Sequence, residues 1–145
     1  MKENSLEVTK YIQIAKKNFK EGNLYQANEI YRKLINQKIY THELLISYGL
    51  FNKKIKNLQS AKNLFILSIK KYPLKINSYI LLAEILRKEN KFNDALRTLN
   101  AAKKIEKLNS DIDYNLSITY KTIKLFKEAK ADLRRKHKKD AIPNK

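Results

Sequence analysis

The 145-residue chain has no cysteine and no tryptophan, and it has two glycines, two prolines and two histidines. Without cysteine it can form no disulfide, no thiolate metal site and no cysteine nucleophile. So few glycines and prolines leave little material for the tight turns of a β-sandwich or barrel, which favours helices. His42 and His137 have no partner at a recognisable catalytic spacing. The sequence therefore predicts a helical protein without a metal site, a cofactor or catalytic residues.

Long apolar runs are missing as well. The first residues contain no apolar segment of the kind that a secretory signal peptide needs. The longest apolar run, residues 79–83, is stopped by Glu84 and is far shorter than the roughly 18 residues of a membrane span. These absences predict a cytoplasmic protein.

Negative charge is scarce. The chain has 14 acidic residues against 32 basic ones, which gives a net charge of +18. Most of the basic residues are lysines, and the abundance of Lys, Asn and Ile is what AT-rich coding produces, so codon bias is one explanation of the excess. Codon bias should also supply glutamate, however, and glutamate is scarce. The alternative is a functional excess that attracts an acidic protein, nucleic acid or an anionic surface.

What the sequence does have is a period of 34 residues. Four alanines fall in one column of this period: Ala27, Ala61, Ala95 and Ala129. Twelve positions earlier is a column of small residues: Ala15, Gly49, Ala83 and Ser117. Large apolar residues fill two columns beside the alanines: Leu24, Leu58, Phe92 and Phe126, then Tyr31, Phe65, Leu99 and Leu133.

Each period predicts a helical hairpin. In the first one, Tyr11, Ile14 and Ala15 share a face of one helix, and residues 24–34 repeat this spacing on a second helix. The small residues would let the two helices approach closely. Turns are expected at residues 21–23, 56–57, 90–91 and 124–125. First-helix N-caps are expected at Thr41, at Asn77, and at Asn109 or Ser110, and Pro73 should end the second helix of unit two.

This pattern resembles the tetratricopeptide repeat, whose motif contains a Leu-Gly pair and an Ala-x₃-Phe element. The Ala-x₃-Phe element is complete from Ala61 to Phe65. The resemblance implies an all-α fold, a right-handed superhelix (solenoid) of four helix-turn-helix repeats at residues 8–41, 42–75, 76–109 and 110–143, within one domain of residues 1–145. The motif's Trp is absent, and Asp113 and Lys136 occupy normally apolar columns, so the fourth unit should be the weakest. Pentatricopeptide repeats form a similar hairpin, but they usually repeat every 35 residues and lack the alanine column.

The resemblance also implies a concave groove, lined by the first helix of each unit, that holds a partner segment. Its central positions would be occupied by an apolar row, Ile12, Ile46, Ile80 and Tyr114, and by a mixed row that contains Lys16, Leu50 and Ile118. Its edge would be formed by residues near the end of each first helix: Phe19, Lys20, Lys53, Lys54, Arg87, Lys88 and Lys121. Such a groove would suit a segment with apolar and acidic residues. A simpler interpretation is that these cations complement the helix dipole and that packing covers the isoleucines.

Three hypotheses for the function follow. The first is a non-catalytic scaffold or adaptor that binds a protein or peptide, of acidic character if the basic residues take part. The second is nucleic-acid or anionic-surface binding through the basic face, to which the run at residues 134–139 would contribute, although that run equally suits the polar cap of a repeat array. The third is that the chain is the repeat portion of a larger enzyme or of a secretion system.

Overall fold

A computed structural model of the chain describes residues 5–141. These residues form seven α-helices and no strand, which confirms the predicted all-α class. The helices are α1 (Ser5–Lys20), α2 (Leu24–Asn36), α3 (His42–Lys54), α4 (Leu58–Lys71), α5 (Asn77–Lys88), α6 (Phe92–Ile105) and α7 (Ser110–Asp140). The chain divides after Leu82 into two compact units, and the division falls within α5. We call these the first and the second unit, and the 34-residue periods are the repeats. The predicted domain of residues 1–145 and the repeat of residues 110–143 both extend outside the described residues.

Three turns end the first helices of the first three hairpins, and they lie 34 residues apart. Gly22, Lys56 and Asn90 have positive φ angles of 83°, 62° and 60°. In each turn the next residue donates its amide to a carbonyl five positions earlier, as from Asn57 to Asn52 at 2.8 Å. This is the Schellman end of a helix, in which a left-handed residue reverses the chain. The predicted turns at residues 21–23, 56–57 and 90–91 are therefore confirmed.

The helix starts and stops are partly those that the sequence predicts. Thr41 accepts a hydrogen bond from the Leu44 amide at 3.2 Å, and Asn109 accepts one from the Ile112 amide at 3.1 Å, so both residues are N-caps. The predicted cap at Asn77 is wrong because that residue already lies in α5. Helix α4 ends at Lys71, two residues before Pro73, as expected.

The core of the first unit lies where α1 packs against both α2 and α3. Val8, Ile12 and Ala15 supply the buried face of α1. The predicted face was wrong in part, because Tyr11 and Ile14 are each 39% exposed. The cause is the position of α1: its neighbours cover the Val8–Ile12–Ala15 side, whereas Tyr11 only borders α2, where it lines a cavity with Ile30 and Leu34.

Aromatic side chains join the first two hairpins. The Tyr31 ring stacks on the Tyr48 ring with centroids 5.0 Å apart, and Phe51 lies 5.6 Å from Tyr31. Burial raises the pKa of Tyr31 to about 12, helped by the negative charge of Glu43. The column of Tyr31 and Phe65 is therefore core, as the repeat predicts.

The fourth predicted turn, at residues 124–125, is wrong: α7 runs through it without a break. The first three turns have either a favourable left-handed residue (Gly22, Asn90) or an asparagine cap that bonds the next helix (Asn57). The fourth has neither, because Lys124 is followed by Leu125, a poor cap and a good helix former. The second half of the fourth repeat therefore continues the helix instead of folding back.

This open arrangement exposes residues whose counterparts are buried. Ala27, Ala61 and Ala95 are fully buried, whereas Ala129 is exposed. Leu133 is 57% exposed, although Tyr31, Phe65 and Leu99 in its column are in the core. That the fourth repeat is the weakest stays a prediction, and the missing turn adds a reason for it beside Asp113 and Lys136.

Candidate binding surfaces

The predicted row of apolar groove residues is not a uniform surface. Ile12 is fully buried in the core of the first unit, so its assignment to the groove is corrected: α2 and α3 cover it. Ile46 and Ile80 are half-buried. In the second unit Tyr114 is 65% exposed and Ile118 is half-buried. The interpretation that packing covers the isoleucine row therefore holds for Ile12 and in part for Ile46 and Ile80.

Lys16 is held by a cluster of polar groups between α1 and α3. Its ammonium lies 3.7 Å from a carboxylate oxygen of Glu43. Thr9 and Gln13 also donate hydrogen bonds to this carboxylate, at 3.3 and 3.4 Å. The cluster is exposed, so the ion pair contributes about 0–1 kcal/mol to stability. A bound segment would meet Lys16 as one half of an ion pair and not as an isolated cation.

Phe19 is half-buried and packs against the core of the first unit. Its ring packs edge-on against Phe51 with centroids 5.3 Å apart, and it lies against the first unit's core cluster. Its place in the groove therefore stays a prediction, and this packing takes up part of its surface. Lys20 and Lys54 remain exposed at the ends of α1 and α3, and Lys53 is half-buried.

In the second unit, the corresponding residues near the ends of the first helices are Arg87, Lys88 and Lys121. The Arg87 guanidinium donates a hydrogen bond to the Thr119 hydroxyl at 3.1 Å, which ties α5 to α7. Lys88 and Lys121 are exposed. Arg87 therefore has a structural partner in the chain itself, whereas both lysines face solvent.

What remains accessible in the first unit is centred on α3. Ile46, Leu50, Lys53 and Lys54 share one face of this helix, since they are spaced by three, four and seven or eight residues. We call these four residues the α3 face. Leu50 is 38% exposed and Lys54 is exposed, so the α3 face offers apolar area beside positive charge.

The sequence did not predict a cavity of about 420 Å³ in the first unit. Tyr48 lines it and donates a hydrogen bond from its hydroxyl to Asn28 Oδ1 at 2.9 Å. Tyr25, which is 73% exposed, stands at its rim. In the sequence, the residues that could have indicated this cavity are Tyr25 and Ile55, two apolar residues outside the repeat columns. The other lining residues are Leu24, Phe51, Asn52, Asn57 and Ser60.

A second cavity, of about 570 Å³, lies between α6 and α7 in the second unit. Phe92 and Phe126 meet edge-on in its wall with centroids 5.2 Å apart. Three cations of α7, Lys127, Lys130 and Arg134, stand along one side. This cavity exists because α7 continues past residue 124 beside the start of α6.

Among residues 5–141 no group of three or more His, Cys, Asp or Glu side chains is placed to hold a metal ion. In the same part of the chain, no helix combines the length and the apolar character that crossing a membrane requires.

His42 lies in the first turn of α3, and burial and the charge of Lys75 lower its pKa. Its ring meets Tyr72 edge-on at 5.6 Å, and its Nε2 has no hydrogen-bond partner in the described structure. The residue is half-buried and packs against Tyr72.

Comparison with known proteins gives a fold and no family. No family model matches the chain. No curated protein matches it either. Among solved structures, MamA (AMB-1) superposes with a TM-score of 0.63 at 15% identity, over 87% of this chain and 69% of that one. A point mutant of MamA gives 0.62 at 16% identity, over 88% of this chain and 74% of that one.

MamA is a TPR-like, all-helical protein. This chain has the same helical-repeat fold. At so low an identity the likeness concerns the fold alone, and membership of the tetratricopeptide family stays a prediction.

Proposed function

We propose that the chain is a non-catalytic scaffold that binds a segment of a partner protein on the first helices of its hairpins. The observation that carries this proposal is the α3 face, where partly exposed Ile46 and Leu50 adjoin the exposed ammonium of Lys54. The MamA-like fold supports it, because helical-repeat arrays present their side chains as extended binding surfaces.

The partner segment would combine apolar and acidic residues. Leu50 offers apolar area that a partner side chain can cover, and each buried CH₂ contributes about 0.8 kcal/mol. Lys20 and Lys54, near the ends of their helices, would attract carboxylates and speed the encounter with an acidic segment. Lys16 contributes less, since Glu43 already compensates its charge.

The test starts with peptides selected from a random library on the unmodified chain, which are then titrated against variants. Leu50→Asp and Lys54→Glu should each weaken binding by about tenfold or more, which corresponds to about 1.4 kcal/mol. The matched controls are Ile66→Asp and Lys70→Glu, because both residues are exposed on α4 outside the α3 face. Equal weakening by the variants and by their controls would exclude the α3 face as the binding surface.

Nucleic-acid binding is a second candidate, favoured by the exposure of every Lys and Arg in residues 124–139 of α7. Such contacts depend steeply on salt, because binding releases counterions from the phosphates. Anisotropy titrations with single- and double-stranded DNA at increasing salt would detect them. Arg134→Glu with Arg135→Glu should then abolish binding, whereas Lys70→Glu with Lys71→Glu should not. Absence of binding at low salt would eliminate this candidate.

A further inference from the structure

The second half of α7 retains the sequence of a packing helix, but apart from the Phe126 contact with Phe92 its apolar columns are exposed. Ala129 and Leu133 occupy the two columns whose members in α2, α4 and α6 are buried in the core. In those helices the Ala column is fully buried, but Ala129 is exposed and Leu133 is 57% exposed. The second half of α7 therefore carries the apolar residues of a helix–helix contact that the single chain does not form.

The other partner is the first half of α7. In the first three repeats, the small residues against which the second helix packs are all buried: Ala15, Gly49 and Ala83. Ser117 holds the same column in α7 and is exposed. Tyr120, one turn further along, is 57% exposed. The first half of α7 thus has an uncovered surface against which a helix of this kind can pack.

While α7 is continuous, its second half cannot pack against its own first half. With 31 residues and a rise of about 1.5 Å per residue, α7 spans about 46 Å. Lys124 lies near the middle, so the halves on either side have nearly equal length. Two such helices placed antiparallel would each lay the second half on the other's first half. A straightened turn between two complementary halves is the geometry of a domain swap.

We propose that this chain forms a two-fold symmetric dimer in which the two copies exchange the second halves of α7. Leu133 and Ala129 of each copy bind beside Ser117 and Tyr120 of the other. The antiparallel direction is that of every hairpin in the chain, so the contact reproduces the repeat between two molecules. This surface is separate from the α3 face.

The charges of α7 fit this arrangement. Its first turn contains Asp111 and Asp113, whereas its last turns contain Arg134, Arg135 and Lys136. In the register that sets Ser117 against Ala129, the acidic start of one helix lies beside Arg135 of the other. Within one chain Asp113 pairs with Lys103 and Arg135 with Asp132, and both pairs are exposed. Exposed pairs exchange partners at little cost.

Disulfide trapping tests the proposal directly, because the natural sequence has no cysteine. The double variant Ser117→Cys with Ala129→Cys, oxidised under mild conditions, should run as a covalent dimer on a non-reducing gel. Ser117→Cys alone should give little dimer, since the two Ser117 side chains do not face each other. Ala15→Cys with Ala27→Cys is the matched control and should give an internal disulfide, because α1 and α2 form a closed hairpin.

Each other outcome overturns the proposal. An internal disulfide in the Ser117/Ala129 variant would show that the chain closes its own fourth hairpin. No disulfide would show that α7 stays unpartnered or that a different molecule covers it.

Light scattering on the unmodified chain provides an independent measurement that needs no cysteine. The mass should approach twice 17.1 kDa as concentration rises. Leu133→Asp should reduce it to that of one chain, whereas Leu108→Asp, in the exposed α6–α7 connection, should not. Lys124→Gly with Leu125→Asn restores the residues of the first turn, Gly22 and Asn23, and should also give single chains. A mass of one chain at every concentration would contradict the dimer.

Discussion

The ring of Phe65 in α4 lies directly over the backbone of Gly49 in α3. A β-carbon built on Gly49 would come within 2.3 Å of the Phe65 ring, closer than any real contact. Both residues are buried, so the ring has little freedom to withdraw. The small-residue column of the repeat thus has a direct cause: the second helix places a large side chain against it.

Gly49→Ala should destabilise the protein, although alanine favours helices, because Phe65 or α4 would have to shift. Overpacking of this kind costs about 1–3 kcal/mol, and the measurement is the free energy of unfolding in urea. The control is Ser117→Ala, the same column in the exposed part of α7, measured at concentrations where the protein is a single chain, and it should change the free energy by less than about 0.5 kcal/mol. Similar losses at both positions would contradict this explanation of the column.

Ala61→Leu and Ala129→Leu should differ, although both alanines occupy the same column. Ala61 is fully buried between helices, so the added atoms should cost about 1–3 kcal/mol of unfolding free energy. Ala129 is exposed, so leucine there should leave the stability of the single chain nearly unchanged. In the exchanged dimer the same substitution should crowd Ser117 and lower the dimeric fraction. Thermal melts and light scattering separate the two effects.

Glycine substitutions at Lys56 and Lys124 should act in opposite directions. Lys56 has a φ of 62°, a conformation that costs residues with a β-carbon about 1–2 kcal/mol and costs glycine little. Lys56→Gly should therefore stabilise the protein, by up to about 1 kcal/mol. Lys124→Gly should destabilise α7 by a similar amount, because glycine is a poor residue in a helix interior. Urea unfolding of both variants would check this, and equal signs would contradict it.

His42 should make stability depend on pH. Burial, with the charge of Lys75, lowers the pKa of His42 below its ordinary value of 6.5. Below that pH the unfolded chain binds a proton here that the native chain resists, so stability is full above about 6.5 and falls as the pH decreases. His42→Phe should remove this fall, whereas His137→Gln, at an exposed position on α7, should retain it. Unfolding free energies between pH 5 and 7 provide the measurement.

The repeat could be predicted from the sequence because the same kinds of residue return at the same places. Ala27, Ala61 and Ala95 are each needed where two helices meet closely, and Gly22 and Asn90 are suited to the turns. The fourth turn could not be predicted by counting columns. Its absence depends on two local residues, Lys124 and Leu125, that offer neither a left-handed position nor a cap.

The binding surface was predicted less well, for a reason visible in α1. This helix has apolar residues on two sides, with Ile12 on one and Ile14 on the other. Sequence alone does not decide which side the neighbours cover, and the neighbours cover Ile12. The two cavities were not predicted either, because they arise where the start of one helix meets another helix.

The backbone conformation of Lys124 tests the central structural claim, three closed hairpins followed by one continuous helix. Backbone chemical shifts and amide–Hα couplings measured by NMR report φ residue by residue. The structure predicts positive φ at Gly22, Lys56 and Asn90, and a helical, negative φ at Lys124. This result should hold for the single chain and for the exchanged dimer alike. A positive φ at Lys124 would show a fourth closed hairpin and would contradict both the open α7 and the dimer inferred from it.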